Sequence, residues 1–303
     1  MNILIAGATG FIGNALVKQL LTRGDQVVAL VRDPVSARRR LPAGVRIARW
    51  DGSTAGDWTR YVGEADAVFN LSGEPIAAKR WTEQQKREIL RSRILPTRAL
   101  VQAMAAGKKR PSVFVNASAV GFYGFSEQPP ATEETPSGDG FLAETCALWE
   151  QEAVAARSAG VRVVLPRIGI VLGDDGGALQ KMLLPFRFFV GGPIGSGVQW
   201  FPWVHRDDVI GALLFALDSP ALSGPVNCVA PESVRMNEFC RTLAHVLKRP
   251  SWLRVPAFVL RVLMGEMAGM ILGGRRVLPV RLTGTGYNFT YPRLEDALRS
   301  ILG

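Results

Sequence analysis

A glycine-rich turn near the start of the chain limits the fold more than any other feature of the sequence. Its motif, Gly7-Ala8-Thr9-Gly10-Phe11-Ile12-Gly13, follows an apolar run at 2–6 and opens a helical pattern that reaches residue 23. Glycine allows a tight turn and close approach of a pyrophosphate, and the helix N-terminus offers unpaired N–H groups and partial positive charge. We therefore predict a dinucleotide site, with these cofactor-binding residues: Gly7, Thr9, Gly10, Phe11, Ile12 and Gly13.

Strand-like and helical segments alternate along the first half of the chain. Helical patterns cover 82–106, where Thr82 with Gln85 indicates an N-terminal cap, and 138–159. Strands are predicted at 26–31, 45–50, 67–71, 112–116 and 161–165, and the run at 26–31 is continuously apolar, which is typical of a strand buried on both faces. The alternation predicts βαβ units and an α/β fold with a Rossmann-type, doubly wound parallel sheet.

The regular alternation ends near residue 169, which suggests where a second region begins. We expect residues 1–170 to form the dinucleotide-binding domain, and residues 205–230 to return to it. Residues 171–303 are then a smaller C-terminal α/β region for the substrate. The sequence assigns no role to the last part of this region, residues 252–303.

Two side chains after the predicted strands point to the kind of dinucleotide. Arg32 follows the second strand, where a carboxylate would bind the ribose 2′-hydroxyl of NAD and an arginine can pair with the 2′-phosphate of NADP. Asp33 comes next and leaves the discrimination incomplete. Asp51, after the third strand, is predicted to border the adenine. The predicted cofactor is NADP(H).

Composition limits the partners. The net charge is +10, but its densest runs, 38–40 and 108–110, contain no aromatic residues, so no nucleic-acid partner is expected. The three cysteines are widely spaced and there are two histidines, so we expect no metal, and a reducing, cytoplasmic location. The apolar stretch 256–274 contains Arg261 and Glu266, so no membrane association is expected.

Several longer motifs resemble one protein family. The stretches IAGATGFIGNALV, VFNLSGEPI, RWTEQQKREILRSRI, VNASAVGFYG, FLAETCALWE, LPRIGIVLG and WFPWVHRDDV are similar to extended short-chain dehydrogenases/reductases. More narrowly, they resemble an atypical subgroup of nucleoside-diphosphate-sugar epimerase-like proteins. The C-terminal segment resembles a small domain of unassigned function in that subgroup. The resemblance implies NADP(H) binding and, by analogy with the superfamily, a homodimer.

The resemblance also implies roles for individual positions. Leu71, Ser72 and Gly73 would lie beside the cofactor, with Glu74 next to them. Arg80 and Arg93 would reach the substrate. Ser118 would hydrogen-bond a substrate oxygen. The alternative for Arg80 and Arg93 is that they are solvated surface charges. The alternative for Ser118 is that its hydroxyl only forms hydrogen bonds within its own loop.

The proton-transfer pair of the superfamily is absent. Its tyrosine and lysine lie four residues apart on one helix face, and here those positions hold Leu142 and Cys146. Tyr123 is a candidate replacement acid, and Glu144 a second proton carrier. Cys146 is open as a nucleophile or as a small packed residue.

Two further side chains are candidates for contact with a substrate. Arg167 follows the sixth strand and could bind a carboxylate or phosphate. His205 could face the substrate or cap the next helix, where Asp207 and Asp208 complement the dipole. The aromatic cluster 200–203 is either core or a stacking platform.

These observations leave two functions open. The first is an oxidoreductase or epimerase-like enzyme that transfers hydride between NADP(H) and an unidentified, anionic small substrate. The alternative is a catalytically weak or inactive protein that senses NADP(H), which the missing tyrosine and lysine favour.

Overall fold

In the part of the chain that the structure describes, fourteen strands form one large sheet and three small two-stranded sheets. The computed structural model describes residues 1–303, except for the side chains of residues 127 and 128. The strands are β1 Asn2–Ala6, β2 Gln26–Val31, β3 Arg46–Arg49, β4 Ala67–Asn70, β5 Val113–Asn116, β6 Ser118–Ala119, β7 Ser126–Ala131, β8 Arg162–Ile168, β9 Ile170–Leu172, β10 Trp200–Phe201, β11 Trp203–His205, β12 Gly224–Cys228, β13 Val234–Arg235 and β14 Arg275–Val277.

Twelve α-helices connect and cover these strands. They are α1 Phe11–Thr22, α2 Pro34–Arg40, α3 Thr59–Glu64, α4 Glu83–Ala106, α5 Phe141–Val154, α6 Gly177–Arg187, α7 Arg206–Asp218, α8 Met236–Leu247, α9 Ala257–Met264, α10 Ala268–Leu272, α11 Val280–Gly284 and α12 Leu294–Leu302. Short 3₁₀ turns occupy Val120–Tyr123, Ala155–Ala159 and Gly265–Met267.

The large sheet is parallel and has the strand order β12-β8-β5-β4-β1-β2-β3, with β6 paired to β8. Strands β2 and β3 lie on one side of β1, and β4 and the later strands lie on the other, so the order of strands in the sheet reverses at β1. In open α/β sheets the crevice at such a switch point, outside the carboxyl ends of the strands, is where ligands bind. The predicted Rossmann-type α/β sheet is confirmed.

Both faces of the sheet are covered, which explains why the strands are continuously apolar. In β1, Ile3 and Ile5 face a core with α1 and α7, whereas Leu4 faces a second core with α3 and α4. Helix α4 begins as predicted, because the Thr82 hydroxyl accepts from Gln85 N at 3.1 Å.

The C-terminal half adds a third core and contributes to the large sheet. Helices α8 and α12 pack together over a cluster that includes Phe186, Trp203 and Phe239. Segment 206–228 supplies α7, which packs on α1, and the edge strand β12. The apolar stretch 256–272 is not one helix, because Gly265, at φ +62°, divides it.

No helix in the described chain has both the length and the apolar character needed to cross a membrane.

Candidate functional site

A cleft of about 560 Å³ lies at the switch point of the sheet. The glycine turn, the end of β2 and the loop after β4 form its walls. Nine of the predicted cofactor-binding residues line it: Gly7, Thr9, Gly10, Arg32, Asp51, Leu71, Ser72, Gly73 and Glu74. The remaining three, at 11–13, begin α1 beneath the turn.

The glycine turn is compact because its glycines lie against backbone. Gly7 has φ +83° and touches the backbone of residues 71 and 72, so a side chain there would be both strained and obstructed. A methyl group on Gly13 would overlap the Gly7 carbonyl. Helix α1 starts without a side-chain cap, which leaves its first N–H groups directed at the cleft. This turn is a cradle for an anionic group.

The Phe11 side chain has a packing role. Its ring fills the space beside three glycines, Gly173, Gly176 and Gly177, and lies 5.6 Å from the Arg206 guanidinium. The ring therefore connects the glycine turn to the segment that follows β9. The ring is thus engaged in packing, and the cofactor contact predicted for Phe11 remains a prediction for its backbone N–H.

The end of the cleft beyond β2 carries two guanidinium groups. Arg32 lines it together with Ser36 and Arg40 from α2. The neighbouring Asp33 caps α2, with its carboxylate accepting from Val35 N and Ser36 N at 3.0 and 3.2 Å. The cap occupies only Oδ1 of Asp33, and Asp33 itself lines the cleft, so its second oxygen can still accept from a ribose hydroxyl. Sequence reasoning missed Ser36 and Arg40, since only the phase of α2 shows which residues face the cleft.

Asp51 lines the same end of the cleft and is held in a turn. Its carboxylate accepts from the backbone N–H groups of Ser53 and Thr54, at 2.8 and 2.9 Å, and from the Thr54 hydroxyl. The hydrogen bonds from Thr54, followed by the Ser53 bond, lower the pKa of Asp51 to about 2. Asp51 is therefore an ionised group with its position fixed at the cleft wall.

The predicted catalytic serine belongs to a buried network below the cleft. The Ser118 hydroxyl donates to Glu150 Oε1 at 2.6 Å, and Arg167 grips both oxygens of Glu150 at 2.8 Å. All three side chains are buried. This corrects the expectation for Arg167, which is paired inside the protein rather than facing a substrate; the Ser118 hydroxyl donates to Glu150, and its contact with a substrate stays a prediction.

Tyr123 is part of the same network. Its hydroxyl accepts from Arg167 Nη1 at 2.8 Å and donates to Asn227 Oδ1 at 2.6 Å, and the side chain is 1% exposed. Burial raises the pKa of Tyr123, against the opposing effects of Arg167 and Asn227. The geometry therefore corrects the expectation that Tyr123 is a proton donor in the cleft.

His205 takes the structural role that the sequence had left as its alternative. Its Nδ1 accepts from Asp207 N at 3.0 Å and so caps α7, and its ring stacks on Tyr291 at 4.0 Å. Burial lowers the pKa of His205. Asp208, fully buried, accepts from Thr290 N and Tyr291 N. The expected contact of His205 with a substrate is corrected accordingly.

The other candidates divide between core and surface. Phe201 and Trp203 lie in the third core, and Trp200 lies between the guanidinium groups of Arg235 and Arg276, at 4.4 and 5.4 Å. Arg80 and Glu144 are exposed, and the Arg80 guanidinium adjoins Gly265. No group of three or more His, Cys, Asp or Glu residues suitable for a metal occurs among the described residues.

Comparison with known proteins identifies the family. The model of the NAD dependent epimerase/dehydratase family matches residues 3–228, and a domain of unknown function matches 255–301. The chain belongs to the NAD dependent epimerase/dehydratase family.

Relatives of this epimerase-family chain match it over its whole length. A chloroplastic SDR39U1 homolog of Arabidopsis thaliana is 44% identical, covering 100% of this chain and 87% of the relative. The epimerase family protein YfhF of Bacillus subtilis is 38% identical, covering 100% of this chain and 98% of the relative. The crystal structure of human SDR39U1 with NADPH has 35% sequence identity and a TM-score of 0.87, and the match covers 99% of this chain and 99% of that chain. The predicted subgroup is confirmed.

The site departs from the family's tyrosine and lysine pair as the sequence indicates. Leu142 packs beside Gly121, and the Sγ atom of Cys146 lies near the same glycine. Cys146 is a buried free thiol, and burial, with Glu150 adding to it, raises its pKa to about 11. Neither position supplies a proton at neutral pH or a permanent charge. The buried thiol favours the packing role that was open for Cys146 over the nucleophile.

Arg93 brings a cation to the same region from α4. Its guanidinium lies against Gly73 and 5.2 Å from the Trp149 ring centroid. Burial lowers the pKa of Arg93, while Cys146 and then Glu74 act in the opposite direction. Even so, an arginine remains charged at any physiological pH. Arg93 therefore carries a positive charge next to the position that Cys146 occupies.

Proposed function

We propose that this epimerase-family protein binds NADP(H) in the cleft and transfers hydride to or from a small, anionic substrate. The observation that carries the proposal is a pair of arginines at one end of the cleft: Arg32 and Arg40 line it together with Ser36, and the neighbouring Asp33 has one carboxylate oxygen engaged in a helix cap. A 2′-phosphate would gain charge-assisted hydrogen bonds from the two guanidinium groups.

The rest of the cleft suits the remainder of that cofactor. The cradle at Gly7 and Gly10 gives a pyrophosphate access to the N-terminus of α1, and Asp51 would border the adenine. The loop 71–74 would lie along the nicotinamide half of the cofactor. When bound, the cofactor supplies the hydride, while these residues orient it. The human SDR39U1 crystallised with NADPH supports this assignment.

Residues 1–170 with 205–230 would hold the cofactor, and 171–303 would contribute the substrate side. Arg80, exposed beside Gly265, is the proposed contact for an anionic group. The three cysteines are buried free thiols, which suits a reducing compartment such as the cytoplasm. A homodimer remains part of the proposal.

A second candidate, an NADP(H) sensor without turnover, is favoured by one observation. The described site holds no hydroxyl at position 142, and the Tyr123 hydroxyl is committed to Arg167 and Asn227. Loss of NADPH absorbance at 340 nm with members of a carbonyl panel would support the enzyme. Tight cofactor binding without turnover across that panel would support the sensor.

Calorimetric titration of cofactor-stripped protein with NADPH and NADH tests the cofactor assignment. We expect NADPH to bind at least about tenfold more tightly, since a charge-assisted hydrogen bond contributes about 1.5–3 kcal/mol. Arg32→Ala should remove most of this preference while leaving NADH affinity unchanged. Arg39→Ala, an exposed arginine on the same helix outside the cleft, is the matched control. Equal affinities for the two cofactors, or no binding of either, would contradict the proposal.

A further inference from the structure

Arg93 is a half-buried cation with spare hydrogen-bonding capacity. Its Nη1 donates to the carbonyl oxygens of Ile89 and Glu74, at 2.9 and 3.2 Å, and to Ser92 Oγ at 3.5 Å. Among the described residues, no carboxylate forms an ion pair with Arg93 and no acceptor binds its Nε or Nη2. Two donor nitrogens of a guanidinium are thus left for solvent or a ligand.

The side chain is held firmly in this position. The Trp149 ring lies under the guanidinium, with 5.2 Å between the Cζ atom and the ring centroid. Trp149 Nε1 donates to Thr97 Oγ1 at 2.9 Å, and that hydroxyl donates to the Arg93 carbonyl at 2.7 Å. Because the Trp149 ring and these hydrogen bonds already hold the Arg93 side chain in place, less conformational entropy is lost when a ligand binds to it.

The location of the guanidinium indicates which ligand it meets. Arg93 touches Gly73, which lines the cleft, at a place where any side chain on residue 73 would lie about 3.1 Å from Cζ. The adenosine end of the cleft is at Arg32, on the far side of the glycine turn. A dinucleotide with its 2′-phosphate at Arg32 and its pyrophosphate at Gly7 would extend its second ribose toward the loop at Gly73; the Arg93 guanidinium, which is not itself part of the cleft lining, lies against that glycine.

We propose that Arg93 forms a subsite for the diol of the nicotinamide-side ribose, with Nε and Nη2 as the donors. The planar guanidinium presents two parallel N–H groups, a spacing that suits two neighbouring oxygens. A cation from α4 would thus replace the missing one at position 146 on α5. The inference rests on the proposed function, because it requires a dinucleotide in the cleft.

The test compares NADPH with adenosine 2′,5′-bisphosphate, a fragment that lacks the nicotinamide ribose. By calorimetry, we expect Arg93→Gln to weaken NADPH binding about tenfold or more and to leave the fragment unchanged. Arg93→Lys, which keeps the charge but loses the paired donors, should fall between wild type and Arg93→Gln. Arg98→Gln, an exposed residue of the same helix, is the matched control. Retained binding of the fragment shows that each variant is folded.

The outcomes separate the two proposals. Wild-type protein that binds neither ligand would overturn the proposed function and this inference with it. Wild-type protein that binds both, combined with an Arg93→Gln variant that keeps full NADPH affinity, would overturn the inference alone. Equal weakening of both ligands by Arg93→Gln and Arg93→Lys would do the same, because it would assign Arg93 to the general shape of the cleft.

Discussion

At the scale of single residues, His205 makes stability depend on pH. Its Nδ1 must be unprotonated to accept from Asp207 N, and burial lowers its pKa although Asp207 and Asp208 oppose the shift. The folded state therefore binds fewer protons than the unfolded state, in which histidine titrates near 6.5. We expect the free energy of unfolding to decrease as pH falls below about 6.5.

Urea denaturation of wild type and His205→Asn between pH 5 and 8 measures this effect. Asparagine also caps helices, so the variant should fold and show a weaker decrease on the acidic side. A His205→Asn profile parallel to wild type would show that other groups carry the pH dependence.

The sequence predicted the residues that line the cleft better than the residues proposed for proton transfer and substrate contact. The glycine turn and Arg32 follow directly from short-range patterns, because a strand, a turn and a helix are neighbours in the chain. The pairing of Arg167 with Glu150 across 17 residues has no local signature, and neither does the bond from Tyr123 to Asn227 across 104. Polar residues in such long-range networks therefore looked available to a substrate.

At the scale of elements, two glycines of the same turn should behave differently. A methyl group on Gly13 would overlap the Gly7 carbonyl, whereas one on Gly10 would lie 3.2 Å from that atom and need only a slight adjustment. We expect Gly13→Ala to cost about 1–3 kcal/mol of stability through overpacking and also to weaken NADPH binding.

Gly10→Ala should leave the melting temperature near wild type while still weakening NADPH, because Gly10 lines the cleft. Thermal unfolding and calorimetry on both variants check the contrast. Similar losses of stability in the two would mean that α1 shifts to relieve the contact at Gly13.

Strands β1 to β4 of the large sheet were predictable because each has four or more residues and a helix after it. The short strands β10, β11, β13 and β14 have two or three residues each, too few for a period to appear. The apolar pattern of 256–272 does not show the break at Gly265, where φ is +62° and the Arg80 guanidinium lies close by.

At the scale of the whole molecule, the C-terminal segment is part of the main core. Glu133 Oε1 accepts from Asn227 N on β12 at 3.0 Å and from Arg281 N on α11 at 3.1 Å. Buried Asp208 depends on the backbone of residues 290 and 291. We expect scanning calorimetry of the full chain to show one unfolding transition. A separate transition that disappears on removal of residues 255–303 would contradict this.

The bonds of Asp208 also have a consequence during synthesis. Its first partner, Thr290, is 82 residues further along the chain. At roughly 5–20 residues per second, that stretch takes on the order of 4–16 s to translate. For this time a carboxylate destined for the interior has neither of its backbone donors. The first two thirds of the nascent chain must therefore stay soluble with this carboxylate unpaired while the 82 residues that lead to Thr290 are still being made.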